Sequence, residues 1–110
     1  MSPTEAVDKM TGAQYMAQVA RLGCYLCRIS GHEDTPAIVH HPRKNGGKRS
    51  LTDKQTIPLC PFTHHDGGPL SVHMLRKRVE EVYGMSEEHM SAQTRLDVIA
   101  LVARNVRYQR

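Results

Sequence analysis

Cysteines and histidines are the residues of this sequence best suited to chemistry, and they are concentrated between positions 24 and 73. All three cysteines and six of the seven histidines lie in that range. Thiolate sulfur and imidazole nitrogen are preferred ligands of Zn²⁺. An imidazole that holds no metal can exchange a proton near neutral pH. The stretch therefore predicts metal binding, with histidines left over for acid–base chemistry.

The cysteines predict a structural zinc site. Cys24 and Cys27 are separated by two residues, a spacing that lets both thiolates reach one ion, and Cys60 supplies a third. Either His64 or His65 would complete a closed Cys₃His set. Three cysteines cannot pair completely, and a redox pair would open a helix after a strand, whereas this pair follows a helix-stopping glycine. Zinc is therefore the better interpretation.

The other histidines predict a second metal site. Three imidazoles would hold a divalent ion with an open coordination position, as in catalytic sites, and a fourth could act as a general base. Phosphodiester hydrolysis needs such a base, a cation at the phosphate and cationic side chains for the backbone. Imidazole ligands suit Zn²⁺, Mn²⁺ or Ni²⁺ better than Mg²⁺. The available histidines are His40, His41, His73 and whichever of His64 and His65 does not bind the structural zinc.

Basic residues beside these histidines are candidate DNA contacts. Residues 42–49 form a loop with four of them, which is either a solvated turn or a phosphate-contacting segment. The formal net charge of +4 is compatible with a polyanionic partner. The candidate contacts are Arg43, Lys44, Lys48, Arg49, Arg76 and Lys77.

Two helices are predicted before the first cysteine. Ser2 with Glu5, and Thr11 with Gln14, have the spacing of capping boxes. Gly23 is a good end for the second helix, because glycine accepts a positive φ. We interpret this flank as a support for the metal-binding stretch.

Two short apolar runs, residues 36–39 and 56–59, predict strands. The first delivers His40 and His41 at its end, where successive side chains point to opposite sides. One histidine can therefore bind a metal while its neighbour points elsewhere.

Two further helices are predicted after the second strand, one ending at Gly84 and one capped by Ser86. Glu87 and Glu88 would lie in the first turn of the last helix, where the helix dipole favours acids. We interpret the last helix as a support or a dimer surface, and His89 on it as a surface residue. The predicted core positions are Val72, Leu75, Val79 and Val82 in the first of these helices and Leu96, Ile99, Ala103 and Val106 in the second.

Taken together, the motifs resemble those of the HNH (ββα-metal) endonucleases. They are C-x-x-C, then H-H-x-R-x-x-x-G-K-R, then T-I-P-L-C-P-x-x-H-H, then V-H. The chain more closely resembles the phage recombination-enhancing, RecA-dependent nuclease (Ref) family and its prophage relatives, over about residues 17–84. The resemblance implies an α+β fold, with a small zinc-stabilised ββα-metal (HNH) core and flanking N- and C-terminal helices.

The resemblance also implies roles. His41 would be the general base of a DNA endonuclease or nickase that uses one divalent ion (Zn²⁺, Mn²⁺, Mg²⁺ or Ni²⁺). The implied ligands of that ion are His40, His65 and His73. The implied ligands of the structural zinc are Cys24, Cys27, Cys60 and His64.

The chain departs from the family pattern in two places. Three residues, instead of two, separate Cys60 from the His64–His65 pair, which leaves the division of labour between these histidines open. The middle Asn of the HNH name, which braces the loop carrying the base, has Asp53 or Gln55 in its region.

At 110 residues the chain is expected to be a single domain, with N-terminal helices in 1–23, a zinc/HNH core in 24–84 and a C-terminal helix in 85–110. No segment approaches the roughly 20 apolar residues of a membrane span. We expect an intracellular protein encoded by a phage or prophage, with DNA as partner and a recombinase filament as a further candidate. The alternatives are a non-catalytic zinc-stabilised DNA-binding module and a zinc-held protein-interaction domain.

Overall fold

The computed structural model describes residues 1–31, 35–42, 53–61 and 79–108, with side chains described up to residue 105. Within these residues, helices pack around a small antiparallel sheet, so the α+β class predicted from the sequence is confirmed. The predicted division into 1–23, 24–84 and 85–110 stays a prediction.

The N-terminal flank forms two helices, α1 (Pro3–Lys9) and α2 (Gly12–Arg21). Ser2 caps α1 by accepting the Glu5 backbone N–H at 3.1 Å. Thr11 and Gln14 form the complete capping box of α2, with both hydrogen bonds present. The predicted helix starts are therefore confirmed, because each cap satisfies backbone donors that the first turn leaves open.

A third helix, α3 (Tyr25–Ile29), carries the first pair of cysteines. The chain turns between α2 and α3 at Gly23, whose φ of +80° favours glycine. Cys24 occupies the N-cap position of α3, and its sulfur accepts the Cys27 backbone N–H at 3.4 Å. The two cysteines therefore lie in the first turn of a short helix, where both sulfurs are on the same side.

The sheet pairs β1 (Ile38–His40) with β2 (Ile57–Leu59) in antiparallel register, and His40 lies opposite Ile57. A 3₁₀ turn over Asp53–Gln55 leads into β2. Thr56 closes that turn by donating from Oγ1 to the Asp53 carbonyl at 2.9 Å. His41, one residue beyond β1, consequently lies beside the turn that carries Asp53.

Residues 79–83 are helical, and Gly84, with a φ of +70°, ends that helix as predicted. The last helix, α4 (Glu87–Tyr108), begins after Ser86, whose hydroxyl accepts the His89 backbone N–H at 3.1 Å. Val79 is buried as predicted, whereas Val82 is 51% exposed. His89 is exposed, as expected.

The buried face of α4 differs from the predicted one. Leu96, a predicted core residue, is 58% exposed, while Ile99 is only partly buried. The predicted and the observed sets of buried residues both have helical spacing. The observed set includes two polar residues, so a search for apolar residues alone does not find it. The buried positions are Glu87, Met90, Thr94 and Val98.

Two apolar clusters form the core of the described residues. One surrounds the cysteines and joins α3, β2 and Met90 of α4. The other packs α1 and α2 against Val98 of α4. Helix α4 therefore belongs to both clusters, and its first turn reaches the sheet that carries the histidines.

Candidate metal centre and histidine site

The three cysteines converge in the interior. Cys24 comes from the start of α3, Cys27 from within it and Cys60 from the residue after β2, and all three are buried. Their sulfur atoms lie within 4.8 Å of one another. The sulfurs of Cys27 and Cys60 are 3.7 Å apart, far beyond a disulfide bond. Two thiolates on a tetrahedral zinc, at about 2.3 Å from the ion, are separated by roughly 3.8 Å.

The surroundings of this cluster disfavour a thiolate that has no metal partner. Burial raises the pKa of the Cys24 thiol to about 12. A buried thiolate is unfavourable by itself, but a bound Zn²⁺ supplies the charge that stabilises it and displaces the proton. Three soft sulfur donors in an apolar pocket therefore fit zinc, and the three cysteines could hold such an ion.

His40 lies at the interior end of β1. Its Nε2 is 2.9 Å from Oε2 of Glu87, and each side chain is only 3% exposed. A carboxylate oxygen can only accept a hydrogen bond, so Nε2 of His40 is the donor. The imidazole is consequently held by a residue 47 positions further along the chain.

His41, the residue after β1, has a similar contact with a different carboxylate. Its Nε2 donates to Oδ1 of Asp53 at 2.9 Å. This pair is more open, with side-chain exposures of 20% for His41 and 17% for Asp53. Alternation along β1 thus gives the two histidines different environments, as the sequence predicted.

The N-terminal flank holds Asp53 in place. A Cβ on Gly12, at the start of α2, would lie 2.8 Å from the Asp53 Cβ and closer still to its Oδ2, so only glycine leaves room. Lys54, on the same 3₁₀ turn, donates from Nζ to the Asp8 carbonyl at 2.8 Å, near the end of α1. The N-terminal flank, which the sequence predicted as a support, therefore contacts the 3₁₀ turn beside His41.

The other predicted site residues lie outside the part of the chain that the structure describes. This applies to the two remaining ligands assigned to the catalytic ion, to the fourth ligand of the structural zinc and to all candidate DNA contacts. These residues are His64, His65, His73, Arg43, Lys44, Lys48, Arg49, Arg76 and Lys77. Their roles stay predictions.

Sequence reasoning missed one residue of this site. Glu87 was interpreted as an acid favoured by the helix dipole, yet it is buried against His40. A signal was available, since Glu87 falls three, seven and eleven positions before Met90, Thr94 and Val98, on one helical face. Asp53 was one of two candidates for the brace, and it is the one that contacts His41.

The comparison with known protein families supports the prediction that the protein is a nuclease. The sequence model of a family described as recombination enhancement, RecA-dependent nuclease, matches residues 8–97, which is most of the chain. The protein belongs to this family of RecA-dependent nucleases, as its sequence motifs predicted. Membership indicates a nuclease that acts on DNA in recombination.

Searches of curated proteins and of solved structures gave no significant match. Among the described residues, no helix combines the length and the apolar character needed to cross a membrane.

Proposed function

We propose that the protein is a metal-dependent DNA endonuclease or nickase of the HNH (ββα-metal) type, with His41 as general base. The observation that carries this proposal is the hydrogen bond between Nε2 of His41 and Asp53, in a partly open position at the strand end. Family membership supports the nuclease class. The paired strands that bring His41 beside Asp53 support the finer assignment.

The chemistry of His41 follows from this contact. Because Nε2–H is donated to Asp53, Nδ1 of the neutral imidazole carries the lone pair. Nδ1 can take a proton from a water molecule while the water oxygen forms a bond to phosphorus and the P–O bond to the leaving group breaks. Asp53 keeps the ring oriented and stabilises the imidazolium that results. The proton held on Nδ1 can then be returned to the leaving oxygen or to solvent.

One divalent ion would be held by His40, His65 and His73. When bound, such an ion stabilises negative charge on the phosphate and on the leaving oxygen. Of these ligands, His40 is described, and its buried imidazole with a carboxylate partner fits a metal ligand. The donor set suits Zn²⁺, Mn²⁺ or Ni²⁺ better than Mg²⁺.

A separate structural zinc would be held by Cys24, Cys27, Cys60 and His64. The convergence of the three sulfurs supports this assignment. A closed site of four protein ligands has no position for substrate. Its contribution is therefore to folding, because the ion joins α3 to the end of β2.

The substrate would be DNA held through phosphate contacts from Arg43, Lys44, Lys48, Arg49, Arg76 and Lys77. Such contacts position the backbone without reading its sequence. The family description, a RecA-dependent nuclease, supports a recombinase filament as a further partner. The proposal also takes the protein to be intracellular and encoded by a phage or prophage.

The test of this function is cleavage of single- and double-stranded DNA by the purified protein, with and without a recombinase filament. We expect cleavage to require a divalent ion and to stop when a mild chelator removes it, while one tightly bound zinc per chain remains. Cleavage that persists in a protein shown to contain only that zinc would contradict a second metal site.

The alternative is a non-catalytic zinc-stabilised DNA-binding module. The cysteine cluster by itself favours it, since a structural zinc requires no catalytic histidine. A module of this kind would bind one zinc and DNA, and it would cleave no strand under any of the conditions above.

A further inference from the structure

The contact between Glu87 and His40 joins two distant parts of the chain in the interior. Glu87 is the first residue of α4, and His40 is the last residue of β1. Nε2 of His40 and Oε2 of Glu87 are 2.9 Å apart and both side chains are almost completely buried. Neither the sequence motifs nor the family description assigns a role to Glu87.

We propose that Glu87 is a positioning residue, which fixes the ring of His40 so that Nδ1 is the nitrogen presented to the divalent ion. This inference rests on the proposed function, which takes His40 as a ligand of that ion. A neutral imidazole has one N–H and one lone pair. Since Nε2–H is donated to the carboxylate, the lone pair belongs to Nδ1.

Burial of the pair favours a functional role over a structural one. Removing a carboxylate from water costs free energy, and an apolar residue of similar size is often as stable or more stable at such a position. Met90 and Val98 continue the same face of α4 with apolar side chains, and the hydroxyl of Thr94 between them donates to the Met90 carbonyl of its own helix. The helix dipole favours an acid in this first turn, and the exposed Glu88 already provides one, so neither the dipole nor helix packing requires a buried glutamate at position 87.

A carboxylate partner also changes the metal affinity of a histidine. It holds the ring at one angle and makes the other nitrogen a better electron donor, and loss of such a partner typically weakens metal binding about 10- to 100-fold. His41 is held in the same way by Asp53, so both neighbouring histidines keep Nε2–H bound to a carboxylate. We therefore expect Glu87 to affect metal binding and Asp53 to affect proton transfer.

The experiment measures Mn²⁺ affinity in protein whose thiol site is filled with Zn²⁺, by electron paramagnetic resonance of free Mn²⁺. Mn²⁺ is a suitable probe because thiolates bind it poorly. The variants are Glu87→Gln, which keeps an acceptor oxygen, Glu87→Ala, which removes it, and His40→Ala. The matched control is Glu88→Gln, an exposed acid in the same helical turn.

We expect the Mn²⁺ dissociation constant to rise about tenfold in Glu87→Gln and about 100-fold in Glu87→Ala. It should stay unchanged in Glu88→Gln, and zinc content should stay at one per chain in all variants. If His40→Ala loses Mn²⁺ while Glu87→Ala binds it like the wild type, the role of Glu87 is wrong and the proposed function stands. If His40→Ala also binds Mn²⁺ like the wild type, the ligand assignment itself fails.

A second measurement needs no variant and remains decisive if the Glu87 variants do not fold. Long-range ¹H–¹⁵N correlation spectra of the wild type distinguish the two neutral forms of each histidine ring. The proposal predicts that the His40 proton is on Nε2, with and without the divalent ion. A proton on Nδ1 would overturn it.

Discussion

The cysteine cluster and the histidine pair are held in different ways, although residues at the ends of the two paired strands contribute to both. Each cysteine contacts another cysteine or apolar side chains, and the three come from α3 and the end of β2. Each histidine instead donates to a carboxylate from outside its own strand, Glu87 for His40 and Asp53 for His41. The first arrangement brings ligands together, while the second fixes which ring nitrogen is available.

This difference shows what each flank contributes. A structural zinc needs sulfurs at the right separation, and the ion itself then stabilises them. A catalytic imidazole needs an orientation that must exist before the substrate arrives. Gly12 and Lys54 of the N-terminal flank and its neighbouring turn would provide this for His41 as the proposed base, and α4 would orient His40 as the proposed metal ligand.

The largest expected effect is the loss of a zinc ligand. Replacing Cys60 by serine removes one of the three thiols that would hold the proposed zinc, and we expect the chain to lose both zinc and cooperative folding. Zinc binding in small metal-stabilised domains contributes about 10–16 kcal/mol, comparable to the whole stability of a domain.

Metal analysis and circular dichroism measure this outcome. The control is Ile29→Ser in α3, where the side chain is 47% exposed. A folded Cys60→Ser protein with a full complement of zinc would show that the cluster is not the structural site.

The next effect concerns the brace of His41. Replacing Asp53 by alanine leaves the His41 ring without its hydrogen-bond acceptor. We expect the cleavage rate to fall about tenfold or more while the protein stays folded. This loss is part of the roughly 10²–10⁴-fold rate increase that general-base catalysis typically contributes. Asp53→Asn, whose amide oxygen can still accept from Nε2–H, should retain more activity than Asp53→Ala. Single-turnover rates at saturating divalent ion test this order, and equal rates for all three proteins would contradict the brace.

A smaller effect is expected at Gly12. An alanine there would place its Cβ against the Asp53 side chain and displace it from His41, so the cleavage rate should fall a few-fold. Alanine is the better helix former, by about 0.5–1 kcal/mol in a helix interior, so any loss of stability in Gly12→Ala would come from the clash with Asp53. Cleavage rate and melting temperature should be measured together, with the neighbouring Ala13→Gly as control; an unchanged rate in Gly12→Ala would contradict the contact.

The smallest effect is expected at the surface contact between α1 and α4. Asp8 and Arg95 form an ion pair at 2.6 Å, but Asp8 is 54% exposed. We expect Asp8→Asn to lower the free energy of unfolding by about 1 kcal/mol or less and to leave cleavage unchanged. Denaturant unfolding measures this free energy. A larger loss would contradict the expectation that an exposed ion pair contributes little to stability.

Local signals in the sequence predicted much of this fold. The caps at Ser2, Thr11 and Ser86 and the ends at Gly23 and Gly84 were correct, because each depends on residues within one turn. The cysteine cluster followed from ligand type and spacing.

What the sequence did not predict depends on contacts between distant segments. The buried face of α4 was assigned to Leu96 because only apolar residues were counted. The stripe that begins at Glu87 has equally good helical spacing, and its contact with His40 shows that it is the buried one. The choice of Asp53 over Gln55 required the strand register, which places the 3₁₀ turn beside His41.

The most direct test of the central claim is the single-turnover cleavage rate of His41→Ala, with divalent ion and DNA saturating. His89→Ala is the matched control, because His89 is an exposed histidine on α4. We predict a loss of about 10²- to 10⁴-fold for His41→Ala, with zinc content and DNA affinity retained, and no loss for His89→Ala. A His41→Ala protein that cleaves DNA at the wild-type rate would contradict the assignment of His41 as the base.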